Sequence, residues 1–351
     1  MLKGKEMAVW VIRAGRMGEN EEFALNEGVY SIGFSQERSV ADFSDYESLR
    51  DYIHRQSDEW SLQQAASRAS QLWRFAHDMQ LDDMIVLPRK RHRVIAVGRI
   101  TGNYVYNADE SQAPLPHTRK VEWQVQDVPR ANFDEDLKHS FTSQLTVSQV
   151  RKNNAEARIQ QVVNVYLGIE QMTELPPQIS SPDDLIDDTD TVNLEESIND
   201  RIIERIRERF REHRLEYLVA RILEAEGYTV LETRPGPDSG VDIVAGSGEL
   251  GFGQPRLCVQ VKSGQSPVGV SDYRGLQGSV QNFGADHGLL VSLSGFTQPV
   301  HNANRQSFFV IRLWGPEELV ENLLDTYDAL PLDVRTDIPL QSRRVLVEAD
   351  E

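Results

Sequence analysis

An acid, an amide and a lysine stand at a spacing suited to holding a divalent cation and hydrolysing a phosphodiester. Asp242 closes the run Asp238-Ser239-Gly240-Val241-Asp242. After a Gly-rich gap, Gln260 and Lys262 follow two positions apart in Leu257-Cys258-Val259-Gln260-Val261-Lys262. In a strand, alternate side chains share a face. Leu257, Val259 and Val261 should therefore turn towards a core, with Cys258, Gln260 and Lys262 on the other side. A hard cation takes oxygen ligands, and an ammonium near the phosphoryl group stabilises the charge that develops there. Asp242 and the Gln260 carbonyl suit the first task and Lys262 the second. The spacing alone fits a solvated strand face better, because an Asp in a Gly-rich turn and a Lys on a strand are individually ordinary.

The elements around these residues must form a frame. Leu215, Leu218, Val219, Ile222 and Leu223 make the apolar stripe of a helix, with Gly227 placed to end it. Glu216 stands at the edge of that stripe, where a carboxylate is costly unless paired or bound to metal. Strands are expected near 229–232, 241–245, 257–262, 288–293 and 308–313. Helices are expected near 272–283, from Thr297 and from Pro316.

This combination resembles the catalytic domain of the Mrr family of restriction endonucleases, a branch of the PD-(D/E)xK superfamily, over about residues 210–325. The residues carrying the likeness are Glu216, Gly227-Tyr228, Asp238 to Asp242, Gln260-Val261-Lys262, Gly288-Leu289-Leu290-Val291-Ser292 and Gly295-Phe296-Thr297. Gln260 departs from the acid usual in the superfamily and agrees with the Mrr branch. The resemblance implies a restriction-endonuclease-like α/β sandwich and a site with Asp242 as main metal ligand. It also implies Lys262 as catalytic lysine, Glu216 and Gln260 as supports, and Mg²⁺ as cofactor with Mn²⁺ as substitute. Asp238 follows Pro237 and is nearer the "PD" of the superfamily name. Asp242 is preferred because its Gly-x-Asp-Ile step leads into an apolar strand.

At 351 residues the chain can bury two cores. It shows no apolar run long enough to span a bilayer and no signal-peptide core, so no membrane association is expected. Its single cysteine, Cys258, excludes internal disulfides and suits a reducing cytoplasm. The formal net charge of −18 argues against nucleic acid as partner. Half of it, however, lies in residues 171–200, where Glu174, Asp183, Asp184, Asp187, Asp188, Asp190, Glu195, Glu196 and Asp200 meet no Lys or Arg. That acidic stretch divides the chain into a target-reading domain (7–168), a linker (169–192), a nuclease domain (193–330) and a C-terminal extension (331–351). From Asn193 to Arg214 apolar residues at near-helical spacing alternate with Glu and Arg. This reads as a solvated helix or as a DNA or dimer contact through Arg207, Arg211 and Arg214.

The first domain alternates short strands (8–12, 29–34, 84–87, 94–101, 121–125) with helices (46–56, 63–79), which suggests a small β-barrel capped by helices. Ser70 to Phe75, Leu81 to Val86, Ile95 to Ile100 and Val121-Glu122-Trp123 resemble the EVE branch of the PUA-like superfamily, which implies a pocket for a modified or flipped base. Trp10, Trp73, Tyr104, Tyr106 and Trp123 are the aromatic candidates to stack on a base, against ordinary core packing. The run Arg89-Lys90-Arg91-His92-Arg93 is the candidate phosphate patch, against a solvated turn. The expected whole is a two-domain α+β and α/β protein. It would be a metal-dependent endonuclease acting on double-stranded DNA, with modified bases as one option and a homodimer as the form that cuts both strands. A non-cleaving nucleic-acid-binding module and an RNA-directed reader stand as alternatives.

Overall fold

The computed structural model describes residues 7–15, 17–34, 38–56, 60–90, 93–107, 113–143, 145–151, 154–170, 194–232 and 240–341. Asp238, Arg91 and residues 171–192 of the acidic linker lie outside them. The chain divides into two units, Met1–Ser197 and Ile198–Glu351.

The first unit contains β1 (Val9–Ile12), α1 (Glu21–Glu27), β2 (Val29–Ile32), α2 (Tyr46–Arg55), α3 (Leu62–Trp73), β3 (Met84–Arg89), β4 (Val94–Ile100) and β5 (Val105–Tyr106). β6 (His117–Pro129), α4 (Glu135–Phe141), β7 (Val147–Val150) and α5 (Ala155–Tyr166) follow. The strands form one sheet in the order β2-β6-β4-β3-β1-β7, with β5 on β6. β1 and β3 pair in parallel and the other neighbours are antiparallel.

The long β6 gives its first residues to β2 and its remainder to β4, with register shifts opposite Ile95 to Gly98. Such irregularities raise local twist and bend a strand. A Cβ at Gly98 would lie 2.6 Å from Glu122 O, so only glycine allows this approach. The expected barrel is thus realised as a curled half-barrel, open between β2 and β7. The Tyr30 hydroxyl of β2 donates to Arg13 O (2.8 Å) and sits 3.2 Å from Thr146 O, just before β7.

β1 is buried on both faces. Trp10 and Ile12 join Leu49, Leu72 and Phe75 in one core. Val9 and Val11 face the other way, into a second core made with Phe133, Leu137, Phe141, Ile159 and Tyr166.

Sheet and helices in the second unit alternate more regularly. Its elements are α6 (Leu194–Arg209), α7 (His213–Ala225), β8 (Tyr228–Glu232), β9 (Ile243–Ser247), β10 (Gly253–Lys262), α8 (Val270–Phe283), β11 (His287–Ser292), α9 (Gln298–Gln306), β12 (Ile311–Trp314), α10 (Pro316–Thr326) and α11 (Leu332–Asp337). The sheet order is β12-β11-β10-β9-β8. β10, β11 and β12 are parallel and joined through α8 and α9, as parallel neighbours require a crossover. β8, β9 and β10 are antiparallel.

Both sides of β10 are covered, which corrects the expectation of one core face. Cys258 is fully buried in a core with Tyr273, Leu276 and Val280 of α8 and Val300 of α9. Burial pushes its thiol up to about 11. Val259 and Val261, on the opposite face, are buried too.

The five apolar residues expected along α7 are all at most 1% exposed, each contributing roughly 1.5–3 kcal/mol by leaving water. α6 does not run on to Arg214: Glu212 takes φ +50° and α7 begins afresh at His213. The segment expected as a C-terminal extension begins with α11, whose Val334 is buried and whose Asp337 pairs with Arg214 at 2.6 Å.

Candidate active site

β9 and β10 bring Asp242 beside the Gln260–Val261 stretch where the two strands begin to part. Asp242 N–H donates to Val259 O (2.9 Å), and Val261 N–H donates to the Asp242 carboxylate (2.6 Å). The side chain therefore takes over one rung of the ladder and is fixed beside Gln260. Gly240 adopts φ +53° just before it, a conformation that favours glycine.

Burial raises the Asp242 carboxyl above its ordinary value. The Val261 N–H opposes that shift, Glu216 adds to it, and the Lys262 ammonium and His213 oppose it. Asp242 thus feels the charges of Glu216, Lys262 and His213.

Gln260 is 9% exposed, and its carbonyl Oε1 has no hydrogen-bond partner among the described residues. An unmet buried acceptor is costly, and an oxygen ligand to a cation is one way to meet it. Glu216 is partly buried and lies 3.0 Å from His213 Nδ1, one turn earlier on α7. No group of three or more His, Cys, Asp or Glu placed to hold a metal ion occurs among the described residues. The donors at the positions expected from sequence are two carboxylates and an amide, all oxygen, the chemistry that suits a hard divalent ion.

Lys262 ends β10 and pairs with Asp272 of α8 at 2.8 Å. Beside it in the sheet stands Ser292, fully buried. Neither His213 nor Asp272 stood out in the sequence. His213 carries a local signal, its i,i+3 spacing from Glu216. Asp272 meets Lys262 only through the crossover.

Residues 207–323 match the family described as "Restriction endonuclease" (Mrr_cat). This segment is an Mrr-type restriction endonuclease domain. Residues 10–151 match a family described as "Domain of unknown function (DUF8426)", and the EVE/PUA-like likeness stands as an expectation from sequence. No curated protein matches the chain.

Three solved structures show weak likeness. The DNA modification-dependent restriction endonuclease AspBHI is 15% identical, with a TM-score of 0.33, over 79% of this chain and 73% of its own. MspJI restriction endonuclease in complex with a 27-mer oligonucleotide is 15% identical, with a TM-score of 0.31, over 75% and 66%. The protein of unknown function AF1548 is 16% identical, with a TM-score of 0.25, over 30% of this chain; the match spans 64% of AF1548's length.

The candidates outside the Mrr-type domain are dispersed. Trp10 is buried, and its Nε1 donates to Asp83 (3.0 Å). Trp73 packs on the core with its ring 4.2 Å from His77, and Trp123 Nε1 donates to Ala24 O (2.8 Å). Tyr104 accepts from Val40 N–H (3.1 Å) and lies 2.7 Å from His117 Nδ1, while the Tyr106 ring sits 5.3 Å from that imidazole.

Arg89 is held by Glu22 at 2.9 Å, and Lys90 N–H donates to Glu21 (2.7 Å), so the start of the basic run is met by acids of α1. Lys90 and Arg93 belong to the described residues and Arg91 does not. In the second unit, Arg207 donates to Leu293 O (3.0 Å) and Arg214 pairs with Asp337, which gives both a structural task. A cleft of about 430 Å³ lies in the first unit, lined by His77, Gln80, Asn103, Tyr104 and Arg119 among others.

Proposed function

We propose that the chain is a metal-dependent DNA endonuclease of the restriction type, hydrolysing phosphodiesters at Asp242, Gln260, Lys262 and Glu216. The observation that carries this reading is the buried, unpartnered Gln260 carbonyl beside Asp242 in an Mrr-type domain. Asp242, Gln260 and Glu216 would hold Mg²⁺ or Mn²⁺. A bound ion of this kind supplies an activated water and neutralises developing charge. Lys262 presents its ammonium to the phosphoryl oxygens, and Asp242 keeps its orientation through the Val261 N–H.

The first unit would select the target. Its cleft offers an aromatic ring (Tyr104) and amides (Asn103, Gln80), the groups that stack on and read an extruded base. Modified DNA is the target this favours, and a homodimer would supply the two sites that cutting both strands requires.

The test is incubation of the full chain with Mg²⁺ and a panel of methylated, hydroxymethylated, glucosylated and plain DNAs, with RNA as competitor. Cleavage of at least one DNA, abolished by EDTA, is expected. Binding without Mg²⁺- or Mn²⁺-dependent nicking of any substrate would contradict the enzymatic reading and leave a binding module.

A further inference from the structure

Lys262 carries a long flexible side chain, and the Asp272 carboxylate anchors its ammonium at 2.8 Å. We infer that Asp272 is a positioning residue for the reactive ammonium, which rests on the reading of Lys262 given above.

Three observations support this. Asp272 lies in the first turn of α8, where the helix favours a negative charge. The mount is also rigid. Ser294 Oγ donates to Gly264 O (2.6 Å), Val268 N–H to Gly295 O (3.0 Å) and Thr297 N–H to Val268 O (3.1 Å), pinning the β10–α8 crossover to the end of β11. Finally, the pair is about a third exposed on each side (35% and 37%), so solvent screens it and its worth to folding is small. A contact that adds little stability yet anchors the ammonium of a residue read as catalytic acts on rate rather than on fold.

Asp272 holds the Lys262 tip against the first turn of α8. Without it the side chain samples other rotamers, and the ammonium meets the phosphoryl oxygens less often.

The experiment compares wild type, Asp272→Asn and Asp272→Glu as full chains. It reads the single-turnover cleavage rate at saturating DNA in Mg²⁺, DNA affinity in Ca²⁺, and Tm. Asp272→Asn should cut about 10–100-fold more slowly, with affinity and Tm unchanged, and Asp272→Glu should recover part of the rate. A wild-type rate for Asp272→Asn, a faster rate, or a loss that follows a drop in Tm overturns the positioning role alone. Wild-type protein that cuts no DNA overturns the nuclease reading and this inference with it.

Discussion

The two units use buried polar groups in opposite ways. In the first, Arg13, Asp83, Arg119, Arg130 and Lys138 are charged and at most 6% exposed. The three arginines donate to backbone carbonyls, Arg13 to those of Phe141 and Ser143 and Arg130 to that of Lys138. Arg119 alone donates to the carbonyls of Phe75, Ala76, Met79 and Gly102, closing the end of the helical segment after α3. Asp83 accepts from Ala8 N–H, Trp10 Nε1 and Gln80 N–H. In the second unit the buried polar residues among those described are the uncharged Asn199, Gln260, Ser292, Ser294 and Thr297. Four of these five gather where β10 and β11 end, and one keeps an unmet acceptor. Buried charge in the first unit holds a fold; buried polarity in the second gathers beside the proposed site.

Substitutions can break or sharpen that contrast. The largest effect is expected from Asp242→Ala, which should lower the cleavage rate by at least about 10³-fold while DNA affinity in Ca²⁺ stays within a few-fold. Retained cleavage would show that the carboxylate leading into β9 is not part of the chemistry.

Next comes Arg119→Met. It strands four carbonyls in the first unit and should cost at least about 3 kcal/mol in urea denaturation. A cost below about 1 kcal/mol would mean that the buried charge is not what closes that helical segment.

A smaller effect of opposite sign is expected from Asp242→Asn, which keeps an oxygen for the Val261 N–H but removes the charge. The Asp242 carboxyl is raised above its ordinary value. Folding therefore favours the protonated form, and stability falls as pH climbs from the ordinary Asp range through the raised value. Asp242→Asn should match wild type in acid and exceed it at neutral pH by about 2 °C in Tm. A lower Tm at neutral pH would contradict this.

The smallest effect concerns Asp136, held below its ordinary value by its hydrogen bonds to Arg158. That contribution is present above the ordinary Asp range and is lost as pH falls through the lowered value. Arg158→Met should therefore flatten the acid side of the first unit's stability profile, read by thermal melts across pH.

Legibility in the sequence follows the same divide. β9, β10, α7 and α8 are dictated locally, by apolar alternation, a helical stripe and glycines at their ends, so the strands that carry Asp242, Gln260 and Lys262 could be placed from the chain alone. β7 carries only Val147 and Val150 as apolar residues and exists because β1 offers it an antiparallel edge. α5 did carry a local signal, Ile159, Val163 and Tyr166 at helical spacing. The half-barrel depends on β6 serving two neighbours in turn, which no local pattern announces. Among site residues, the Lys262–Asp272 pair was invisible for the same reason, since only the crossover brings the two side chains together.

The most direct test of the central claim sets Lys262→Ala beside wild type in single-turnover cleavage of the DNA that the panel identifies, in Mg²⁺ and in EDTA. The account predicts cutting by wild type in Mg²⁺ alone and none detectable from Lys262→Ala, with equal Tm and DNA affinity. Lys262→Ala protein that cuts as fast as wild type would contradict it.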